Sequence, residues 1–201
     1  MDGIQKYYRG NLKRYGMHSH EAVGWDKKQF QEKRFEYLVQ IGNLKGSHVI
    51  DLGSGLGDLY GYLRVHKITT KYWGFELVPE LVEAAQRKYP AAQFTTEDFL
   101  QYRGPVDYVL ISGTFNVRNG ISRAEYFEQV VALMKKAFKL CKKGVAVNFL
   151  NRDLKDWNFE FDAFLISSAQ VEKLHKTLKP KKFKNIVDAD LEGEYTLHFL
   201  K

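Results

Sequence analysis

The chain has one cysteine, Cys141, and four prolines among 201 residues. A single thiol closes no internal disulfide and supplies no cysteine cluster for zinc, so a reducing cytoplasm is the expected setting. No apolar run approaches the roughly 18 residues of a membrane span, so no membrane partner is expected. Met1-Asp2-Gly3-Ile4 does not open like a secretory signal. Zinc-finger spacing, Arg-Gly or Arg-Ser repeats, an RNA-binding sheet signature, internal repeats and low-complexity tracts are all lacking. No His/Cys/Asp group has metal-ligand spacing, so no metal is expected. What remains is a folded composition, 44% hydrophobic and 27% charged, sized for one domain or a domain with a small extension.

Acid is scarcer than base: 24 acidic residues face 31 Lys and Arg, a net charge of +7. The lysines gather late, at Lys173, Lys176, Lys179, Lys181, Lys182 and Lys184. They read either as a solvated helix face and loop, or as a basic face for RNA or an anionic small molecule.

The stretch that orders the rest is His48-Val49-Ile50-Asp51-Leu52-Gly53-Ser54-Gly55-Leu56-Gly57-Asp58-Leu59. An apolar β-branched run ends in an acid, three glycines follow at every second position, and a short apolar segment starts beyond them. That predicts strand, tight turn and helix, the nucleotide-binding turn of a doubly wound α/β sheet. The dinucleotide fingerprint needs its third glycine where this chain has Asp58. Asp51 also sets a negative charge where a pyrophosphate would lie; an acid suits a ligand carrying an amino group and a sulfonium.

Taken in order, residues 1–25 form a polar-aromatic extension or lid containing Tyr7, Tyr8, Arg9, Tyr15, His18 and His20. A helix follows with Asp26 as N-cap, Gln29 reaching back and Trp25 and Phe30 as a hydrophobic staple, ending at Gly42-Asn43. A second strand over 72–77 ends in Glu76-Leu77. Pro79 opens a helix with Leu81, Val82 and Ala85 inward, and Pro90 stops it. A brief strand over 92–95 leads to Glu97-Asp98-Phe99, and a fourth over 106–111 runs into Ser112-Gly113-Thr114-Phe115-Asn116. The next helix has a Ser122/Glu125 capping box and is closed by Lys142-Lys143-Gly144. A strand over 145–150, a polar-aromatic stretch over 151–167, a helix capped by Ser168 and stopped by Pro180, and strands near 183–187 and 195–200 complete the chain. Alternating strands and helices imply a mostly parallel sheet with right-handed crossovers.

The pattern Asp51-x-Gly53-x-Gly55-x-Gly57, with Glu76 at the end of the second strand, resembles the class I S-adenosylmethionine-dependent methyltransferases. Gly24-Trp25, Arg34-Phe35 and Ser-Gly-Thr-Phe-Asn are similar to small bacterial members with unassigned acceptors. The resemblance implies an N-terminal helical extension before a Rossmann-like domain over 26–201. Its α/β doubly wound, seven-stranded sheet would run 3-2-1-4-5-7-6 with the last strand antiparallel. It places S-adenosylmethionine against Asp51, Gly53, Ser54, Gly55 and Gly57, its ribose hydroxyls on Glu76, and its adenine beside Leu77, Asp98 and Phe99. Ser112 and Gly113 would lie beside the methyl group, with Phe115 walling the sulfonium. Trp25 and Arg34 would close over the cofactor, Arg34 pairing with its carboxylate. The Asn/Asp-Pro-Pro-aromatic signature of DNA amino-methyltransferases is absent.

Methyl transfer requires alignment and exclusion of water, and a base only where the acceptor must lose a proton. Asn116 and His20 are the candidate catalytic residues; His18, Asp153 and Asp156 are further candidate bases. The expected function is O- or N-methylation of a small molecule. Two alternatives are an RNA methyltransferase using the basic C-terminal face and a non-catalytic S-adenosylmethionine-binding module.

Overall fold

The structure, a computed structural model, describes residues 2–17, 19–24, 28–118, 120–153, 162–187, 191 and 193–201. Trp25, Asp26, His18 and Asp156, named above, lie outside the described residues. Among the described residues no helix is long and apolar enough to cross a membrane, and no cluster of His, Cys, Asp and Glu could hold a metal ion.

Two N-terminal pieces, α1 (Asp2–Tyr15) and a 3₁₀ turn (His20–Val23), precede α2 (Lys28–Val39). The βα alternation then follows: β1 (His48–Leu52), α3 (Asp58–Val65), β2 (Lys71–Phe75), α4 (Pro79–Lys88) and β3 (Gln93–Thr95). A 3₁₀ turn (Phe99–Gln101) leads to β4 (Tyr108–Ile111), α5 (Arg123–Leu140) and β5 (Gly144–Asn151). The last elements are β6 (Leu165–Ile166), α6 (Ser168–Leu178), β7 (Lys182–Ile186) and β8 (Glu194–Leu200).

The sheet order is β3-β2-β1-β4-β5-β8-β7. β1 to β5 pair in parallel, and β8 runs antiparallel to both β5 and β7. This is the expected order with one addition: the two-residue β6 pairs in parallel with the end of β5, outside the main path. β1 and β4 are adjacent at the point where strand order reverses, so a crevice opens at their carboxyl ends.

Local chemistry explains most boundaries. Pro79 starts α4, where its missing N–H costs nothing. The Ser122 side chain accepts from the Glu125 N–H at the start of α5. Three expectations shift. Ser167, not Ser168, caps α6, because its side chain reaches the Gln170 N–H in a full capping box. Gly144 does not close α5: the helix stops at Leu140, and Gly144 opens β5, where the Phe199 carbonyl lies 2.8 Å from where a Cβ would stand. In α4, Ala84 is buried with Leu81 and Ala85, while Val82 is only half-buried.

The sheet carries apolar layers on both faces. Phe127, Val130 and Met134 of α5 and Leu174 of α6 cover one face with Val109, Val147 and Leu197. Phe35 and Leu38 of α2 and Leu59 and Leu63 of α3 cover the other with Val49 and Leu110. Tyr8 and Leu12 of α1 pack on a smaller cluster of Ala22, Leu56, Val78, Leu81 and Ala84. Burying that area anchors the N-terminal helix over the carboxyl ends of β1 and β2.

Candidate active site

β1 delivers the chain to a turn whose glycines all take positive φ. At Gly53 (φ +80°) the turn is sealed from behind by Thr114, whose hydroxyl donates 2.5 Å to the Leu52 carbonyl; a Cβ there would collide with that side chain. Gly55 (φ +53°) lies under Val23, whose Cγ1 stands 2.9 Å from where a Cβ would go. The turn is therefore closed on one side by the β4 loop and roofed on the other by the N-terminal segment.

Above it is a cavity of about 440 Å³, within the roughly 300–1,000 Å³ typical of small-molecule sites. Its floor is Asp51, Gly53, Ser54 and Gly55, and its far end is Asp98, Phe99 and Leu100 with Leu133 of α5. Glu76, Leu77, Ser112 and Gly113 line it between. Ile4, Tyr8 and Val23 reach in from the N-terminal segment, and Gln31 and Phe35 from α2. The fold thus gathers Asp51, Gly53, Ser54, Gly55, Glu76, Leu77, Asp98, Phe99, Ser112 and Gly113 around one space. Gly57, just behind, precedes α3 with φ +75°.

Glu76 is held by backbone. The Gly55 N–H donates to Oε2 and the Val78 N–H to Oε1, both at 3.0 Å. Burial raises its pKa above the usual carboxylate value, opposed by hydrogen bonds from Val78, Gly55 and Leu77. Asp98 accepts from the Leu100 N–H at 2.9 Å and caps the 3₁₀ turn that buries Phe99. Leu77 and Leu100, 41% and 40% exposed, are apolar side chains held open at the two sides of this end.

Asp51 departs from the expectation of a simple negative charge. It is 2% exposed, and Tyr72 donates 2.5 Å to its Oδ2, while Oδ1 has no partner among the described residues. Burial drives its pKa up to about 7, with Glu76 and Asp58 adding and the Tyr72 bond opposing. Near neutrality the carboxyl is thus only partly ionised, which weakens the charge argument against a pyrophosphate. Ser54 Oγ and Ser112 Oγ are also buried, so the cavity lining holds three polar atoms without a partner among the described residues.

Several expected residues are elsewhere. Arg34 does not line the cavity: it is buried, and its Nε and Nη2 bind Glu194 of β8, the Nε bond at 2.7 Å. Its fork already holds a carboxylate of this chain, so it is not poised for a ligand's. Phe115 is buried and stacks on Phe149, 5.5 Å between centroids, and walls no part of the cavity. His20 lines a second cavity of about 600 Å³ between α2 and α3, and the structure does not bring it to Asn116. Asn116 lies in the β4 loop outside the cavity lining, its carbonyl accepting from Phe164 N–H at 2.8 Å and its buried Oδ1 without a partner among the described residues. Asp153 Oδ2 accepts from the Ser168 N–H at 2.6 Å, which holds its pKa below the usual value. Lys173 and Lys176 pair with Glu128 and Glu172, and Lys182 and Lys184 lie on the edge strand, where lysine commonly blocks further pairing.

Residues 1–25 read as an extension or lid, but which of them reach the cavity, Ile4, Tyr8 and Val23, was not legible in sequence. Only the Tyr7-Tyr8 pair in a polar segment signalled it; Tyr8 is half-buried and faces Glu76, and burial with Glu76, Tyr7 and Tyr126 raises its pKa above the ordinary phenol value.

No family model matches the chain. Over 103 residues it is 30% identical to a protein of Mycobacterium tuberculosis assigned only provisionally as a methyltransferase; the match spans 50% of this chain and 61% of that relative. Among solved structures it is similar to the magnesium protoporphyrin IX methyltransferase of Synechocystis PCC 6803 with bound S-adenosylhomocysteine, at TM-score 0.67 and 16% identity, covering 98% of this chain and 99% of that one. It is likewise similar to the S-adenosylmethionine-dependent methyltransferase SibL, at TM-score 0.68 and 15% identity, covering 94% of this chain and 58% of that one. The chain therefore has the Rossmann-like fold of the class I S-adenosylmethionine-dependent methyltransferases.

Proposed function

We propose that the chain is an S-adenosylmethionine-dependent methyltransferase acting on a small molecule. The observation that carries this reading is Glu76, whose carboxylate faces the cavity with each oxygen fixed by a backbone N–H. A carboxylate oxygen accepts more than one hydrogen bond, so Glu76 keeps capacity for two ribose hydroxyls without reorganising. The other residues fit the same group. The unpartnered Asp51 Oδ1 offers an acceptor to an ammonium, Ser54 and Ser112 offer hydroxyls, and Leu77, Phe99 and Leu100 offer apolar cover to a base.

S-adenosylmethionine supplies an activated methyl group on a sulfonium leaving group. The chain's own work is then to hold, orient and exclude water. Tyr8, Ile4 and Val23 roof the cavity, which gives residues 1–25 the role of a lid over a core at 26–201. Asn116 follows the cavity-lining Ser112, Gly113 and Thr114 in the β4 loop without itself lining the cavity, so neither it nor a base is assigned to the reaction.

Glu76→Ala tests this. Losing two charge-assisted hydrogen bonds is expected to weaken S-adenosylhomocysteine binding about 100-fold or more, measured by titration calorimetry on protein whose melting temperature is checked in parallel. An unchanged dissociation constant overturns the reading. A thermal shift with NAD and none with S-adenosylhomocysteine would restore the dinucleotide ligand.

A further inference from the structure

Among the described residues five acidic side chains line the cavity, and they are unequally free. Glu97 and Asp98 stand exposed at its far end. Asp58 is used on both oxygens: Lys88 Nζ donates to Oδ1 at 2.7 Å and Gln31 Nε2 to Oδ2 at 3.3 Å. Glu76 has each oxygen fixed by a backbone N–H. Asp51 alone of the five is fully buried, with Oδ2 taken by the Tyr72 hydroxyl and Oδ1 left without a partner among the described residues.

Strand register brings Tyr72 to that carboxylate. On β2, Gly74 stands opposite Asp51 and Tyr72 opposite Val49. Gly74 puts no side chain beside Asp51, and the Tyr72 hydroxyl, from the next position on the same face, reaches Oδ2 at 2.5 Å. The ring is held by other rings: Tyr60 lies 5.0 Å and Phe94 5.8 Å from it between centroids, and Tyr89 packs on Tyr60 at 5.4 Å. The glycine turn makes room for this layer, since a Cβ at Gly57 or at Gly74 would stand 2.7 or 2.5 Å from Phe94. Tyr72 is buried, and burial with the neighbouring Asp51, Asp58 and Tyr89 holds its pKa well above the ordinary phenol value. Its hydroxyl therefore keeps its proton and donates.

We propose that Tyr72 is a positioning residue for the cofactor's amino group: by occupying Oδ2 it reserves Oδ1 of Asp51 for an ammonium, and so makes the site select nucleosides that carry one. This rests on the methyltransferase reading. A carboxylate free to turn about its last bond has a broad range of orientations. One oxygen tied to a buried hydroxyl fixes the other, and an acceptor fixed in advance costs no reorganisation when the ligand arrives. Without the hydroxyl, Oδ2 would be a buried charge-bearing oxygen with nothing to satisfy it, which favours the protonated carboxyl and a poorer partner for a cation. A nucleoside with no amino group leaves Oδ1 unsatisfied whether or not Tyr72 is in place, so the hydroxyl does nothing for it.

The test uses the intact chain and three ligands. S-adenosylhomocysteine has the amino group and the carboxylate, decarboxylated S-adenosylmethionine keeps only the amino group, and methylthioadenosine lacks both. Dissociation constants are measured by titration calorimetry for the wild type, Tyr72→Phe, Asp51→Asn and the double variant. Tyr72→Phe should weaken both amino-bearing ligands about tenfold, while methylthioadenosine binds within about twofold of the wild type and shows that the variant is folded. Asp51→Asn should lose the same preference, and adding Tyr72→Phe to it should cost little more, because the hydroxyl acts through the carboxylate. Unchanged constants in Tyr72→Phe, or an equal loss for all three ligands, overturn the proposal and leave Tyr72 a packing residue. A loss for S-adenosylhomocysteine alone overturns it too, since the effect then lies on the ligand's carboxylate. Should Tyr72→Phe not fold, a wild-type ligand preference in Asp51→Asn still overturns it. A wild type that binds none of the three sinks the methyltransferase reading and this proposal with it.

Discussion

The carboxyl ends of β1 and β2, and those of β4 and β5 with the amino end of β8, meet two different demands on one sheet edge. On the first side a ligand is received mainly by backbone: three positive-φ glycines, and amides that fix Glu76. On the second side the work passes to side chains brought from far apart in sequence. Arg34 crosses from α2 to Glu194 of β8, 160 residues away, and Arg118 crosses from the β4 loop to Asp162. The first side is built from one contiguous stretch and tolerates little change. The second is assembled from pairs whose members lie far apart in sequence.

The sharpest way to break this comparison is to remove one partner of the Arg34–Glu194 pair. Both residues are buried, at 8% and 6% exposure. Burial holds the Glu194 pKa above its usual value even with Arg34 opposing. Arg34→Ala leaves that carboxylate uncompensated and is expected to cost about 3–5 kcal/mol of unfolding free energy, read by urea denaturation. Replacing both residues with apolar ones of similar volume should recover most of the loss. A single-variant cost below about 1 kcal/mol would mean the corner is not held by this pair.

The same contrast accounts for what could be read in advance. The glycine turn, Glu76, Asp98 and the Gly113 loop each declare themselves through a few consecutive residues, since turn chemistry and strand-end acids are local. The alternation of elements implied a mostly parallel sheet, and its order followed from the resemblance. Arg34 was legible as a fork for a carboxylate, but which carboxylate depended on β8 lying against α2, and no local pattern encodes that. Phe115 was read as a cavity wall because it follows Gly113; its burial is decided by Phe149, a strand away. Residues 1–25 were legible as an extension or lid, but that Ile4, Tyr8 and Val23 make its contacts was not, since a polar helix shows its contacts only once it is docked.

An intermediate effect probes the floor of the first side. The Asp51 pKa is raised from 3.8 to about 7, so the folded state binds this proton more tightly than the unfolded state does. Asp51 therefore contributes a fall in stability as pH rises from about 4 to about 7, levelling above that. Asp51→Asn should remove this fall while keeping an acceptor for the Tyr72 hydroxyl, and melting temperatures measured across that range will show it. If the variant and the wild type keep parallel pH profiles, Asp51 is ionised throughout, and the full negative charge inferred from sequence is restored.

The smallest expected effect lies on the roof, where α1 meets the cofactor half. Arg9 and Glu80 pair at 2.7 Å, but their side chains are 46% and 48% exposed, so solvent screens the pair. Arg9→Ala should change global stability by less than about 1 kcal/mol. Its influence is local: with Gln5, which donates to the Leu77 carbonyl at 2.9 Å, Arg9 ties α1 across the opening above Glu76 and Leu77. If α1 is the lid, the Gln5→Ala/Arg9→Ala pair should speed release of S-adenosylhomocysteine in stopped-flow measurements severalfold while leaving the melting temperature of the unliganded protein nearly unchanged. An unchanged release rate would assign α1 a packing role only. The roof would then belong, like the glycine turn, to the fixed half of the site.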